Sequence, residues 1–234
     1  MDPVQREGEV VRFFETFGPV AQSVLIGGYA VAAYGPPRFS VDVDLVLPQS
    51  AFESVSSWLT SEKFSYRVTL GSPTGADSLR KLRALKGVVS SDLYFGGVRA
   101  RESGAVIPYG WLSDRARLLR LRLRTSTTIE PVCVARPEAI WGLKLLAGRT
   151  QDLSDLFAIV QEPIDEREIS TMLGSLSRPG VQRTASRILL MLESPTLYKD
   201  SLSRWSRGSP ELPENQRQWR KFKDCIAGIL TPLT

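Results

Sequence analysis

Histidine is absent from this 234-residue chain. That absence excludes a Ser-His-Asp triad, a Cys-His dyad and every histidine-ligated metal site. Acid–base work must run on Asp, Glu, Lys, Tyr or water, and metal ligation on carboxylates, which favour hard cations. Cysteine is nearly absent too. Cys133 and Cys225 lie far apart in sequence and form neither a zinc pattern nor a disulfide framework, so both read as reduced, partly buried thiols. No apolar run approaches the roughly 20 residues that span a bilayer. The charged stretch from Asp2 to Glu9 does not resemble a signal peptide. The expectation is a cytoplasmic protein without a membrane partner.

What is present suits a globular enzyme-sized chain. Hydrophobic residues make up 42% and charged residues 24%, enough for one large core or two small ones. The net charge of +5 and a pI near 9.4 give weak support for a polyanionic partner.

Apolar spacing predicts a helix over 4–17, ended by Gly18-Pro19. Val24-Leu25-Ile26 reads as a buried strand, followed by Gly27-Gly28 and a compact apolar helix over 29–34. Residues 39–47 alternate as a second strand, with Val41, Val43 and Leu45 on one face and Asp42 and Asp44 on the other. A helix over 51–63, a strand over 64–70, a loop over 71–77 and a strand over 88–95 follow. The basic stretch 79–85 fits no single period. Short strands are expected near 105–107 and 129–134, with an arginine series between them from Arg115 to Arg124. From Pro137 the pattern turns helical, with further helices over 165–176, 178–193 and 214–230 and a loop or weak helix over 194–213. The fold class is therefore α+β: a mixed sheet flanked by helices over 1–136, then a mostly α-helical lobe over 137–234.

One constellation carries chemistry. Glycines after a strand let backbone N–H groups approach a ligand, and the helix that follows aims its positive end at the same place, which makes a phosphate cradle of Gly27-Gly28. Asp42 and Asp44 stand two apart on one strand face and repel unless a cation sits between them; the alternative is a solvated polar edge. Asp92 is a third acid on an otherwise apolar strand, either a partner to that cation or a strand-end aspartate held by backbone N–H groups. Three carboxylates and a phosphate cradle together make a two-metal phosphoryl-transfer site using Mg²⁺ or Mn²⁺. Arg38 neutralises the acids, binds phosphates or makes a structural salt bridge; Ser40 bonds a metal-bound water or caps the strand.

Gly27-Gly28-Tyr29-Ala30, Arg38-Phe39-Ser40-Val41-Asp42-Val43-Asp44-Leu45 and Ser91-Asp92-Leu93 resemble the motifs of the DNA-polymerase-β-type nucleotidyltransferase superfamily. The spacing is similar to its minimal AbiEii and MenT toxin-like branch. The resemblance spans roughly residues 20–160 and implies a nucleotidyltransferase-fold lobe at 1–136, completed by the helical domain at 137–234. It also implies Asp42, Asp44 and Asp92 as metal ligands and catalytic acids, with Gly27, Gly28, Arg38 and Ser40 at the nucleotide. A second block, from Pro137 to Leu156, resembles the branch's Lys–Arg–Asp–Asp signature with compressed spacing. It implies that Lys144 contacts the triphosphate and that Asp152, or else Asp155, completes the site. Their ordinary readings are a snorkelling surface lysine, a helix cap and an exposed helical acid. On a straight helix Lys144 and Asp155 share a face but lie far apart; a break near Gly148 brings them closer.

The resemblance implies a nucleoside triphosphate as substrate, an RNA (tRNA) 3′ end as acceptor and a cognate antitoxin as protein partner. Small-molecule or protein hydroxyls are the alternative acceptors, and an inactive nucleotide- or RNA-binding module is the remaining alternative. Basic residues gather at Arg115–Arg124 and again near Arg204, Arg207, Arg217, Arg220, Lys221 and Lys223, beside Trp205 and Trp219. Arginine with aromatic neighbours suits RNA, unless the indoles belong to the core.

Overall fold

The computed structural model describes every residue except 1, 2, 19, 20, 39, 71–78, 126, 177, 178 and 206. The loop expected at 71–77 and the strand start at Phe39 lie outside the described residues. The chain forms two compact units, one of residues 1–33, 37–98 and 107–136, the other of residues 34–36, 99–106 and 137–234. The fold is α+β, as the alternating and helical periods predict. No helix among the described residues is long and apolar enough to cross a membrane.

The first unit is built on a seven-stranded mixed sheet. In chain order come α1 (Pro3–Phe17), β1 (Val24–Ile26), α2 (Gly27–Tyr34), β2 (Asp42–Leu47), α3 (Phe52–Ser61), β3 (Ser65–Leu70), β4 (Arg80–Lys86) and β5 (Val89–Phe95). A small ribbon of β6 (Gly97–Arg99) and β7 (Val106–Pro108) follows, then α4 (Tyr109–Ser113), β8 (Arg117–Arg122) and β9 (Thr128–Val134). The sheet order is β3-β4-β5-β2-β1-β9-β8. Only β2–β5 and β1–β9 pair in parallel.

Residues 79–85 fit no single period because Leu82 and Ala84 are fully buried while Lys81 and Arg83 occupy the opposite face of β4. A strand with a basic face is hard to tell from a cationic helix by composition. Val41 departs from the expected core face: β2 starts at Asp42, and Val41 is 69% exposed. The Arg6 guanidinium donates to the Val41 carbonyl, just before the ladder begins.

Helix α1 packs on β5 and β9, and its Phe13 and Phe17 meet Trp58 of α3 edge-on at 6.0 and 5.1 Å. It also carries two working carboxylates. Glu7, 1% exposed, accepts the backbone N–H groups of Arg124 (2.9 Å) and Thr125 (2.8 Å) and the Thr125 hydroxyl. Glu9 accepts the Val88 N–H at 3.0 Å. One helix thereby holds the β8–β9 turn and the β4–β5 turn.

The second unit contains α5 (Pro137–Ala147), α6 (Thr150–Ala158), α7 (Glu166–Ser175), α8 (Pro179–Leu192), α9 (Pro195–Arg204) and α10 (Pro213–Leu230). Helix α9 occupies part of the stretch that reads in sequence as a loop or weak helix. Its buried residues are only Leu197, Ser201 and Leu202, too few for a clear apolar period, and the Ser201 hydroxyl meets that of Ser154 at 2.8 Å. Trp205 is 8% exposed and donates from Nε1 to the Ser154 carbonyl, while Trp219 lies against Phe157 and Tyr198. Both indoles pack against their neighbours, which is the core alternative to base-stacking platforms. Both cysteines are free thiols, and burial, followed by the charge of Glu166, pushes Cys225 up to about 12.

Candidate active site

The first unit brings the predicted cradle and acids together through strand register. Ile26, the last residue of β1, stands level with Asp44 of β2. The next residue, Gly27, therefore passes directly over the Asp44 carboxylate. A Cβ on Gly27 would lie 2.1 Å from Asp44 Oδ2, and its φ of +71° is one that side chains resist. Helix α2 starts at Gly27 itself, so both glycines belong to its first turn. A Cβ on Gly28 would lie 2.4 Å from Ser40 Oγ and 3.3 Å from Arg38 Nη2. Tyr29, buried in the same turn, places its hydroxyl 3.5 Å from the Ser40 carbonyl. The helix start thus gathers Asp44, Ser40 and Arg38 around first-turn N–H groups that have no partner within the helix and carry partial positive charge.

The parallel pairing of β2 with β5 sets Asp44 level with Asp92. Side chains on a strand alternate, so Asp42, Asp44, Asp92 and Tyr94 share one sheet face. Arg83 of β4 is level with Asp92 and joins that face together with Lys81. Lys81 Nζ donates to Asp92 Oδ2 at 2.6 Å, and Arg83 Nη2 to Asp42 Oδ1 at 3.4 Å. The three acids converge on Tyr94: burial, then the charges of Asp44, Asp92 and Asp42, push its hydroxyl far above its ordinary value of 10.0. That phenol stays protonated and lies 3.5 Å from Asp92 Oδ2.

Among the described residues no three acidic or cysteine side chains stand as a ready-made metal cluster. In kind, however, the groups fit a hard divalent ion: all are carboxylate oxygens, and Asp92 Oδ1 is buried without a hydrogen-bond partner. A buried carboxylate oxygen in that state costs free energy that a cation would return. Lys81 and Arg83 supply the positive charge at present.

Lys144, Asp152 and Asp155 gather in the second unit. Helix α5 ends at Ala147, Gly148 takes a φ of +59°, and α6 begins at Thr150. That break lets Lys144 Nζ reach Asp152 Oδ1 at 2.9 Å and Asp155 Oδ2 at 2.7 Å. Lys144 is 8% exposed and both acids are fully buried, so neither a snorkelling lysine nor an exposed acid describes them. Asp152 is the third helical residue of a capping box: it accepts the Arg149 N–H at 3.2 Å and the Arg149 Nε at 2.7 Å. Burial raises the Asp152 pKa, but the Arg149 hydrogen bonds and the Lys144 charge outweigh it and hold the carboxyl below its ordinary 3.8.

Sequence reasoning missed Lys81, Arg83 and Tyr94. Tyr94 follows Asp92 by two, which by itself places both on one strand face. The two cations needed the β4–β5 pairing.

No protein-family model matches the chain, and no curated protein matches its sequence. The chain is similar to several solved structures, among them the following three. JHP933 from Helicobacter pylori is 17% identical, with 99% of this chain and 93% of that one covered and a TM-score of 0.43. A candidate nucleotidyltransferase from H. pylori is 14% identical over 99% of this chain and 96% of that one, also at 0.43. ANT(2")-Ia, solved with adenylyl-2"-tobramycin, is 15% identical over 92% of this chain and 98% of that one, at 0.40. The chemistry of the site therefore rests on its own residues.

Proposed function

We propose that this chain is a metal-dependent nucleotidyltransferase that moves a nucleoside monophosphate from a nucleoside triphosphate to an acceptor hydroxyl. The observation that carries the reading is the Gly27-Gly28 helix start, where Cβ atoms would strike Asp44 and Ser40. A helix start able to bind phosphate, set beside Asp44 on a face that also carries Asp42 and Asp92, supplies two parts that phosphoryl transfer uses. Asp42, Asp44 and Asp92 would hold Mg²⁺ or Mn²⁺, which when bound neutralises phosphate charge and lowers the pKa of an attacking hydroxyl. The α2 N–H groups, Ser40 and Arg38 orient the phosphates. The acceptor oxygen forms a bond to the α-phosphorus, the bond to the pyrophosphate oxygen breaks, and the hydroxyl proton passes to solvent. For Lys144 and Asp152, the buried ion-pair cluster supports a positioning role that holds α5 to α6, in place of the triphosphate contact that the resemblance implies.

The proposed acceptor is an RNA 3′ end, tRNA by resemblance, with an antitoxin protein as the corresponding partner. Its support in the fold is the arginine series: Arg117, Arg120 and Arg122 are exposed on β8, at the sheet edge. The test incubates the protein with Mg²⁺, total RNA and each α-labelled nucleoside triphosphate. Label in RNA that disappears in a folded Asp44→Ala variant is expected. Label only in protein or small molecules rejects the RNA acceptor, and full activity in Asp44→Ala sinks the mechanism.

A further inference from the structure

The basic residues of β4 form a diagonal pattern with the acids of β2 and β5. Lys81 reaches Asp92 at 2.6 Å and lies 4.8 Å from the centre of the Tyr94 ring; Arg83 reaches Asp42 at 3.4 Å. The two partners of the Asp92 pair differ in freedom. The Lys81 side chain is 33% exposed and the Asp92 side chain 9%. Lysine is a flexible point charge that can swing into water, whereas the aspartate is fixed in the sheet. The pair is also unequal at the carboxylate: Oδ2 is served by Lys81 and Tyr94, while Oδ1 is buried without a hydrogen-bond partner. A purely structural salt bridge would be expected to satisfy both oxygens of so buried an acid.

We infer that Lys81 is a resident counter-cation that competes with the divalent metal for Asp92. It neutralises the carboxylate through Oδ2 while the acid group is empty of metal, and its charge opposes a cation arriving at the open Oδ1 until the ammonium swings toward water. Lys81 thereby sets the cation concentration at which the site loads and keeps three converging carboxylates from repelling one another below it. The inference rests on the reading of Asp42, Asp44 and Asp92 as a cation site.

The test needs no catalytic turnover. The whole chain is titrated with Mn²⁺ alone, and free ion is read from its electron paramagnetic resonance signal. Lys81→Met should bind Mn²⁺ about tenfold tighter than wild type. Lys81→Arg should stay near wild type and Asp44→Asn should bind weakly. Thermal melts check the fold, and Lys81→Gln, with the same expected gain, replaces Lys81→Met if the latter does not fold. Equal affinity in wild type and Lys81→Met, or weaker binding in Lys81→Met, overturns the counter-cation role while leaving the cation site standing. Absence of Mn²⁺ binding in every variant overturns both.

Discussion

Replacing Gly28 by alanine separates a phosphate cradle from an ordinary packing contact. The residue lies in the first turn of α2, and its φ is not in the left-handed range, so the backbone accepts alanine. Helix propensity favours the change by up to about 1 kcal/mol. Against that, the new Cβ meets Ser40 Oγ at 2.4 Å and Ser40 Cβ at 3.0 Å. Rotation of the hydroxyl relieves the first contact but not the second, and Ser40 is only 8% exposed. Overpacking of this kind costs about 1–3 kcal/mol, so net stability should fall by no more than about 3 kcal/mol. Binding should suffer as well. The shift moves Ser40 and crowds Arg38 Nη2, 3.3 Å from the same Cβ, and loss of one phosphate contact of about 1.4 kcal/mol weakens the nucleotide about tenfold. The measurement is a calorimetric titration with a non-hydrolysable nucleoside triphosphate and Mg²⁺, paired with thermal melts. Gly27→Ala is the severe companion: its φ alone costs about 1–2 kcal/mol, and the Asp44 carboxylate must leave its place. Wild-type nucleotide affinity in a folded Gly28→Ala protein would refute the cradle.

The buried cluster of the second unit gives two more tests. Lys144→Met leaves Asp152 and Asp155 without their shared ammonium, and breaking a buried pair costs about 3–5 kcal/mol, read from urea unfolding; a loss under about 1 kcal/mol would refute the role as a cross-link. Because the Asp152 carboxyl is held below 3.8, its stabilising contribution is complete above that pH and disappears as pH falls through the lower folded value. Asp152→Asn should therefore flatten the acid side of the stability curve below pH 3.8, and an acid limb as steep as wild type would count against the assignment.

Much of this was legible because period and chemistry agree. Val24-Leu25-Ile26 followed by two glycines could be little else than a buried strand turning into a helix, and alternation put Asp42 and Asp44 on one face. What stayed hidden depends on contacts between distant segments. Nothing in residues 79–86 says that Lys81 and Arg83 will face acids on β5 and β2; that follows from two strand registers. Helix α9 was obscured because a serine, Ser201, fills a core position there and satisfies its hydroxyl on Ser154. Val41 misled because its alternation is intact while its backbone is held by Arg6. Gly148 let the sequence foresee a break that brings Asp155 toward Lys144, but not the full burial that makes the two an ion pair in the core.

The carboxylates of α1 bear on the order in which the sheet comes together. Glu7 bonds a turn 117 and 118 residues away, and Glu9 one 79 residues away. Closing such long loops costs conformational entropy that only the finished contacts return. The α1 helix can form early from local interactions, but its last bonds wait until residues 124–125 are in place. The β4–β5 and β8–β9 hairpins lie on either side of the central β2–β1 pair, so fastening both to one helix ties their fates together. Releasing either flank of the sheet breaks bonds to the same helix, so the two hairpins are coupled through α1 although they do not touch in the sheet order.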